Sequence, residues 1–172
     1  QEEMAIRALT DRIRNIEPSQ AYLRSYLLST QTFLHVLSGE LNRARDFLLR
    51  LQTENKKLSN LNNQAWGSYM EGCVHLHTNE LEEAIQPFTF VAQQRHAIDT
   101  AALIDALAGL SLVQQLNGVV DEAAITMEQL LQLAQELQIR PEVQEFPLAE
   151  ANRALTELRT RKIRGAKVLR LD

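Results

Sequence analysis

Apolar side chains recur along nearly the whole chain at the spacing of an α-helix. Ala84, Phe88 and Val91, for example, lie at i, i+4 and i+7, which places them on one helical face. No segment sustains the apolar–polar alternation of a strand, so the sequence predicts no β-structure. Breaks rich in Pro, Gly, Asn and Ser separate eight predicted helices, at 2–15, 20–37, 41–54, 60–77, 81–95, 100–116, 120–137 and 142–161.

Three of the breaks open segments that resemble one another. Segments 38–44, 78–84 and 117–123 each hold a turn, then a large apolar residue, then an Ala three positions later, at Ala44, Ala84 and Ala123. Large apolar residues follow four positions after each Ala and again three positions later: Leu48, Phe88 and Met127, then Leu51, Val91 and Leu130. The copies are 40 and 39 residues apart. A repeat of this length predicts stacked helical hairpins, because one hairpin alone cannot bury its apolar face.

Each repeated position has a physical role in such a stack. Gly39, Asn79 and Gly118 are residue types that tolerate the left-handed conformation at the end of a helix. The repeated Ala is small, so we expect it where the two helices of a hairpin approach closely. The large residues that follow are expected to fill the space between one hairpin and the next.

This pattern resembles the tetratricopeptide repeat. The second copy fits best, with Gly72 at the small first-helix position and Leu81, Ala84 and Phe88 on the second helix. The repeat is about five residues longer than the usual 34, and aliphatic residues mostly replace aromatic ones. The resemblance implies one all-α domain over 1–172, a right-handed α-α superhelix (solenoid) of about three hairpins plus flanking helices. The repeats would span 20–58, 59–98 and 99–138, and the flanking helices 2–15 and 142–161.

A narrower resemblance rests on the turns Leu-Ser-Gly-Glu-Leu-Asn-Arg-Ala and Leu-Asn-Gly-Val-Val-Asp-Glu-Ala and on the Ala- and Leu-rich segment 101–110. These are similar to the superhelical domain of large ATP-dependent LuxR-type bacterial transcription activators, the group that contains the maltose-regulon activator. There the repeats lie between an NTPase module and a helix-turn-helix module, and they serve inducer sensing and self-assembly. The resemblance implies that a peptide, a protein or a small-molecule inducer binds the concave groove. DNA would be contacted only through other domains of the parent protein.

The chain lacks the Gly-x-x-x-x-Gly-Lys-Ser/Thr loop of an NTPase and begins at Gln1 without methionine. We therefore expect it to be a fragment of a larger protein. A general tetratricopeptide scaffold for protein–protein interaction, unrelated to transcription, is the alternative function.

Composition and charge argue against nucleic acid and membranes as general partners of the chain. The 172 residues are 45% hydrophobic, enough for a real core, and the net charge of −4 argues against a general binder of nucleic acid or anionic membranes. Cys73 is the single cysteine, which excludes an internal disulfide and favours a reducing compartment. No apolar run approaches the roughly 20 residues of a membrane span. We expect a cytoplasmic protein without a membrane partner.

The tetratricopeptide register implies which side chains face the groove. They are Tyr26, Ser29, Phe33 and Leu37 from the first repeat, Trp66, Tyr69, Met70, Cys73 and His77 from the second, and Asp105, Ala108, Leu112 and Gln115 from the third. Helical spacing alone places Trp66, Tyr69, Cys73 and His77 on one face. Two interpretations remain open: a groove that binds a small ligand or peptide, or a face that packs against neighbouring helices or a missing repeat.

Neither a metal site nor a catalytic site is expected. Cys73 and His77 lie at i and i+4, which suits chelation, but a metal needs three or four ligands and there is no further cysteine. His35 and His75 occupy equivalent repeat positions, so we expect both to make contacts within their hairpins. No nucleophile, base and oxyanion group can be assembled from the pattern, so we expect no enzyme activity and no cofactor.

Charge is distributed unevenly along the chain. From Arg153 onward there are seven Lys and Arg against two acidic residues, a net charge of +5, whereas the preceding part carries −9. This basic segment can contact nucleic acid or the acidic repeats, or it can be a solvated helix end, where cations are favoured. The sequence favours the helix end, because the basic residues have no aromatic neighbours on which bases would stack.

Overall fold

A computed structural model of the chain describes residues 4, 8, 11–13, 15–17, 20–140, 142–160 and 165–170. Six helices follow one another from residue 21 to residue 136: α1 Ala21–Leu37, α2 Leu41–Asn55, α3 Leu61–His77, α4 Leu81–Gln93, α5 Thr100–Leu116 and α6 Val120–Glu136. Each begins and ends within two residues of its predicted bounds. The predicted all-α class with helical hairpins is confirmed. The helix predicted at 2–15 lies largely outside the described residues.

The chain divides into two compact units, Gln1–Leu133 and Ala134–Asp172. The first unit contains the hairpins α1–α2, α3–α4 and α5–α6, except for the last three residues of α6. Within it the first helices of successive hairpins pack side by side, α1 against α3 and α3 against α5. The second helices α2 and α4 each pack against the helix before and the helix after.

The hairpin turns have the predicted left-handed residue. The φ angles are 72° at Gly39, 60° at Asn79 and 79° at Gly118. In each of the three turns the next residue donates its N–H to a carbonyl five positions back, at 2.9 Å: Glu40 to His35 O, Glu80 to His75 O and Val119 to Gln114 O. This bond closes the end of the first helix and directs the chain into the second.

The repeated small residue is buried in every hairpin. The exposed fraction is 0% at Ala44 and Ala84 and 6% at Ala123, as predicted. Phe88 of the second hairpin is 1% exposed, whereas the equivalent Met127 is 40% exposed. Met127 was predicted to fill the space between hairpins, and it does not, because α6 is the last helix of the first unit.

The repeated histidines make the predicted hairpin contacts. The His35 Nδ1 atom lies 2.7 Å from Glu40 Oε2, and the His75 Nδ1 atom lies 2.7 Å from Glu80 Oε2. Arg45 of α2 also forms an ion pair with Glu80. Glu80 thus joins the turn of its own hairpin to the preceding one.

A buried polar cluster, which the sequence analysis missed, joins the first two hairpins. Ser25 Oγ donates to Asn55 Oδ1 at 2.6 Å, Asn55 Nδ2 donates to the backbone oxygen of Asn63 at 2.7 Å, and Asn63 Nδ2 donates to Ser25 Oγ at 2.9 Å. All three residues are at most 8% exposed. Their hydrogen bonds connect α1, the end of α2 and α3.

The second unit contains two short strands, so the prediction of no β-structure is wrong here. Strand β1, Val143–Pro147, is followed by a 3₁₀ turn at Leu148–Glu150, helix α7 at Ala151–Arg159 and strand β2 at Ala166–Arg170. The strands pair in parallel, in a register that sets Val143 opposite Ala166. The helix predicted over 142–161 is therefore shorter than expected. Apolar residues three apart in β1 imitated helical spacing, and the partner strand is too distant for local periodicity to reveal it.

The described part of the basic segment makes contacts within the second unit. Arg153 pairs with Glu150 at 2.7 Å and with Glu157 at 3.2 Å. The Lys167 side chain is 4% exposed, pairs with Glu157 and places its ammonium 4.3 Å from the centre of the Phe146 ring. Hydrogen bonds from Lys167 and then Arg153 lower the pKa of Glu157. The predicted solvated helix end is wrong for Lys167, since this side chain is buried. The prediction for Arg161, Lys162 and Arg164 lies outside the described residues.

Candidate functional site

A pocket of about 240 Å³ opens between α1, α3 and the first turns of α5. It belongs to the first unit and lies where the first helices of the three hairpins meet. Its lining comprises Tyr26, Ser29, Thr30, Phe33, Trp66, Tyr69, Met70, Asp99, Ala101, Ala102 and Asp105. The volume is slightly below the roughly 300–1,000 Å³ of pockets that hold drug-sized molecules. The pocket therefore suits a small molecule or a single side chain.

The amino end of α5 shapes one wall of this pocket. Asp99 is the N-cap residue, and its Oδ1 atom accepts a hydrogen bond from the backbone N–H of Ala102 at 3.0 Å. Such a cap fixes where the helix starts. Ala101 and Ala102 then follow in the first turn, and their small side chains leave the space between α5 and the aromatic residues of α1 and α3 open.

Aromatic side chains supply much of the remaining lining. The rings of Trp66 and Tyr69 meet edge to face, with their centres 5.8 Å apart and an interplanar angle of 76°. Tyr26 and Phe33 contribute two more rings from α1. Four of the nine aromatic residues in the chain line this one pocket. The polarity of the aromatic face and edge favours the edge-to-face arrangement of Trp66 and Tyr69.

One hydrogen bond crosses the pocket between α3 and α5. The Tyr69 hydroxyl donates to Asp105 Oδ2 at 3.1 Å. Tyr69 is only 4% exposed, whereas Asp105 is exposed. Burial raises the pKa of Tyr69 far above its usual value, and the neighbouring Cys73 and Asp105 side chains raise it further. The phenol therefore stays neutral and remains a hydrogen-bond donor to the carboxylate.

Seven of the thirteen candidate residues from the sequence analysis line this pocket: Tyr26, Ser29, Phe33, Trp66, Tyr69, Met70 and Asp105. The other six candidates do not line it. Cys73 is buried, and His77 bonds through Nδ1 to the Cys73 backbone oxygen at 2.8 Å. Leu37 is exposed at the end of α1, Ala108 is partly buried, and Leu112 and Gln115 are exposed further along α5. These six follow the same helical faces but lie beyond the pocket.

The sequence analysis did not select Thr30, Asp99, Ala101 and Ala102 as site residues. Thr30 follows Ser29 on α1, and the other three come from the start of α5. The signal for Asp99 was present, because an Asp directly before an apolar helical segment predicts an N-cap. A cap identifies the start of a helix, however, and it does not indicate that the first turn borders a cavity.

The site is suited to noncovalent binding. Burial raises the pKa of the Cys73 thiol to about 12, so this sulfur is protonated and a poor nucleophile near neutral pH. Among the described residues, no group of three or more His, Cys, Asp or Glu side chains lies close enough to hold a metal ion. The pocket offers apolar contact, aromatic faces and carboxylate oxygens.

No protein-family model and no curated protein matches the chain. Any proposal of function therefore rests on the fold and on this pocket. In the part of the chain that the structure describes, no helix combines the length and apolar character needed to cross a membrane.

Proposed function

We propose that this chain is a binding segment, without enzyme activity, of a larger cytoplasmic regulator of transcription. Its helical hairpins hold a small-molecule inducer, or one side chain of a peptide or protein partner, in the pocket between α1, α3 and α5. The resemblance of its turns to those of the LuxR-type activators supports the regulatory role and a second role in self-assembly. DNA would be bound by other domains of the parent protein.

The pocket is the observation that carries this proposal. Side chains inside a packed core leave few voids larger than a water molecule. Here Tyr69 and Met70, only 4% and 2% exposed, border a cavity of about 240 Å³. Trp66 and Tyr26 extend the same lining to the surface. An accessible apolar cavity with a few polar groups is the usual form of a binding site.

The test is whether small molecules bind in this cavity. Trp66 is the only tryptophan, so its fluorescence and its indole N–H resonance report on the pocket alone. The wild-type chain is titrated with benzyl alcohol, cyclohexanol and choline. We expect at least one of them to shift both signals in a saturable way.

Two matched variants locate the binding. Ala101→Phe places a large side chain at an exposed position in the pocket wall, and Ala124→Phe makes the same change at an exposed position on α6. We expect Ala101→Phe to abolish binding and Ala124→Phe to preserve it. If none of the three molecules binds, or if Ala101→Phe binds as well as the wild type, the pocket is not a binding site.

A general protein–protein scaffold remains the alternative, and the surface of α6 favours it. Met127 and Leu131 lie four positions apart on one helical face and are 40% and 62% exposed. Contiguous exposed apolar side chains are frequent in surfaces that bind proteins. The parent gene distinguishes the two functions. A phosphate-binding loop encoded upstream and a helix-turn-helix module encoded downstream support the regulator, and their absence from the complete gene supports the scaffold.

A further inference from the structure

We propose that the pocket between α1, α3 and α5 selects an organic cation, namely an alkylammonium group held by aromatic faces and the Asp105 carboxylate. The inference rests on the proposed function, since it names the chemistry of the ligand for the same pocket. It follows from the charge of the lining, the aromatic rings and the hydrogen bond of Asp105.

The charged groups of the lining all have one sign. Asp99 and Asp105 are the acidic members, and the eleven lining residues include no Lys, Arg or His. Neither carboxylate forms an ion pair with a basic side chain of the described residues. The two carboxylates are therefore not neutralised by an ion pair with a described basic side chain, and a cation complements their charge.

The aromatic residues add to the same preference. Tyr26, Phe33, Trp66 and Tyr69 present π-systems to one small cavity. The face of an aromatic ring carries partial negative charge, and a cation within about 6 Å of its centre is attracted to it, most strongly by tryptophan. Several rings around one cavity are the arrangement that recognises quaternary and methylated ammonium groups.

Asp105 is the carboxylate best placed to select the cation. It is exposed at the pocket edge, and its Oδ2 atom is fixed by the Tyr69 hydroxyl at 3.1 Å. This hydrogen bond holds the carboxylate beside the aromatic rings, so the Asp105 side chain loses little conformational entropy when a ligand binds. Because Tyr69 itself is neutral, the Tyr69–Asp105 pair carries one negative charge near neutral pH.

The start of α5 at the pocket raises the opposite possibility of an anion site, since helix N-termini favour anions. At this helix N-terminus, however, the negatively charged group is a side chain of the protein itself, Asp99. The Asp99 carboxylate already accepts the N–H of Ala102 at 3.0 Å. Asp105, six residues after Asp99, adds a second negative charge to the lining, so an incoming anion would be repelled.

Choline and 3,3-dimethylbutan-1-ol test this inference directly. The two molecules have nearly the same shape, but only choline carries a charge. Each is titrated into the full chain at low salt, with Trp66 fluorescence and calorimetry as readouts. We expect choline to bind at least about tenfold more tightly than the alcohol, because the aromatic rings and the Asp105 carboxylate both favour the charged molecule. Added sodium chloride should weaken the binding of choline only.

Two charge-neutralising variants identify the carboxylate. Asp105→Asn retains the shape of the exposed side chain, and Asp46→Asn removes one charge from the exposed surface of α2. We expect Asp105→Asn to weaken choline binding about tenfold while leaving binding of the alcohol unchanged. Asp46→Asn should alter neither affinity. Unchanged choline affinity in Asp105→Asn would overturn the assigned role of Asp105.

The outcomes separate this inference from the proposed function. Equal affinities for choline and the alcohol overturn the cation preference and leave the pocket as a binding site. The same holds if choline fails to bind while benzyl alcohol or cyclohexanol binds. If none of the four molecules binds, the inference and the proposed function both fail.

Discussion

The Phe88 ring on α4 occupies the space that a side chain at Gly72 on α3 would need. A Cβ atom at Gly72 would lie 2.6 Å from Cδ1 and Cε1 of that ring. A Cβ atom at Gly109 on α5 would lie 2.9 Å from the other side of the same ring. The largest fully buried side chain of the core is thus accommodated by glycines on two neighbouring helices.

We predict that Gly72→Ala destabilises the first unit by about 1–3 kcal/mol, because the added methyl group overpacks the contact with Phe88. Urea denaturation followed by circular dichroism measures the loss. In a Phe88→Leu background the same substitution should cost clearly less, since the ring that it meets has gone. Equal costs in the two backgrounds would show that Phe88 is not the cause.

The buried polar cluster gives a second prediction. Ser25→Ala leaves Asn55 Oδ1 without its donor and Asn63 Nδ2 without its acceptor in a buried environment. We expect a loss of about 1–3 kcal/mol in the free energy of unfolding. Ser59→Ala, the same change at an exposed position, should alter it by less than about 0.5 kcal/mol. Similar values for the two variants would contradict the role of the cluster.

The lowered pKa of Glu80 gives a prediction of how the stability of the folded state depends on pH. Hydrogen bonds from His75 and then Arg45 lower its pKa from 4.5 to about 2. The folded state therefore favours the ionised carboxylate more than the unfolded state does, and this contribution to stability is present above pH 4.5. It is lost as the pH falls towards about 2.

Denaturation midpoints of the wild type and Glu80→Gln across this pH range check the prediction. The wild type should lose stability more steeply than Glu80→Gln as the pH falls. Glu83→Gln, at an exposed position in the first turn of α4, serves as the control and should retain the steep dependence. Parallel curves for the wild type and Glu80→Gln would remove Glu80 as the cause.

Most of the hairpin architecture was predictable because its signals are local. The left-handed positions Gly39, Asn79 and Gly118 follow from which residue types tolerate positive φ. The burial of Ala44 and Ala84 follows from the repeat, because equivalent positions in stacked hairpins have equivalent surroundings. The strands of the second unit escaped prediction, since the pairing of Val143 with Ala166 depends on residues far apart in the sequence.

The pocket was only partly predictable from the sequence. Helical spacing placed Trp66 and Tyr69 on one face, and the transferred register placed Asp105 near them. That α5 begins beside these rings depends on the length of the connection between hairpins, which periodicity does not determine. Nothing in the sequence indicated that Ser25, Asn55 and Asn63 are buried together, because polar residues near helix ends usually face solvent.

Stability and affinity measured together in Trp66→Ala test whether the cavity is a binding site. Trp66 is partly buried and also contacts the core, so the variant separates an anchor for a ligand from a packing residue. Tyr22→Ala, which removes a 56% exposed aromatic residue of α1 outside the pocket, is the control. Binding is measured per folded molecule by calorimetry, with whichever of benzyl alcohol, cyclohexanol and choline binds the wild type most tightly. We predict that Trp66→Ala retains its helical circular dichroism and loses at least about tenfold in affinity, whereas Tyr22→Ala keeps the wild-type affinity. A Trp66→Ala variant that loses stability but binds with unchanged affinity per folded molecule would show that Trp66 is a packing residue and that the cavity is not the binding site.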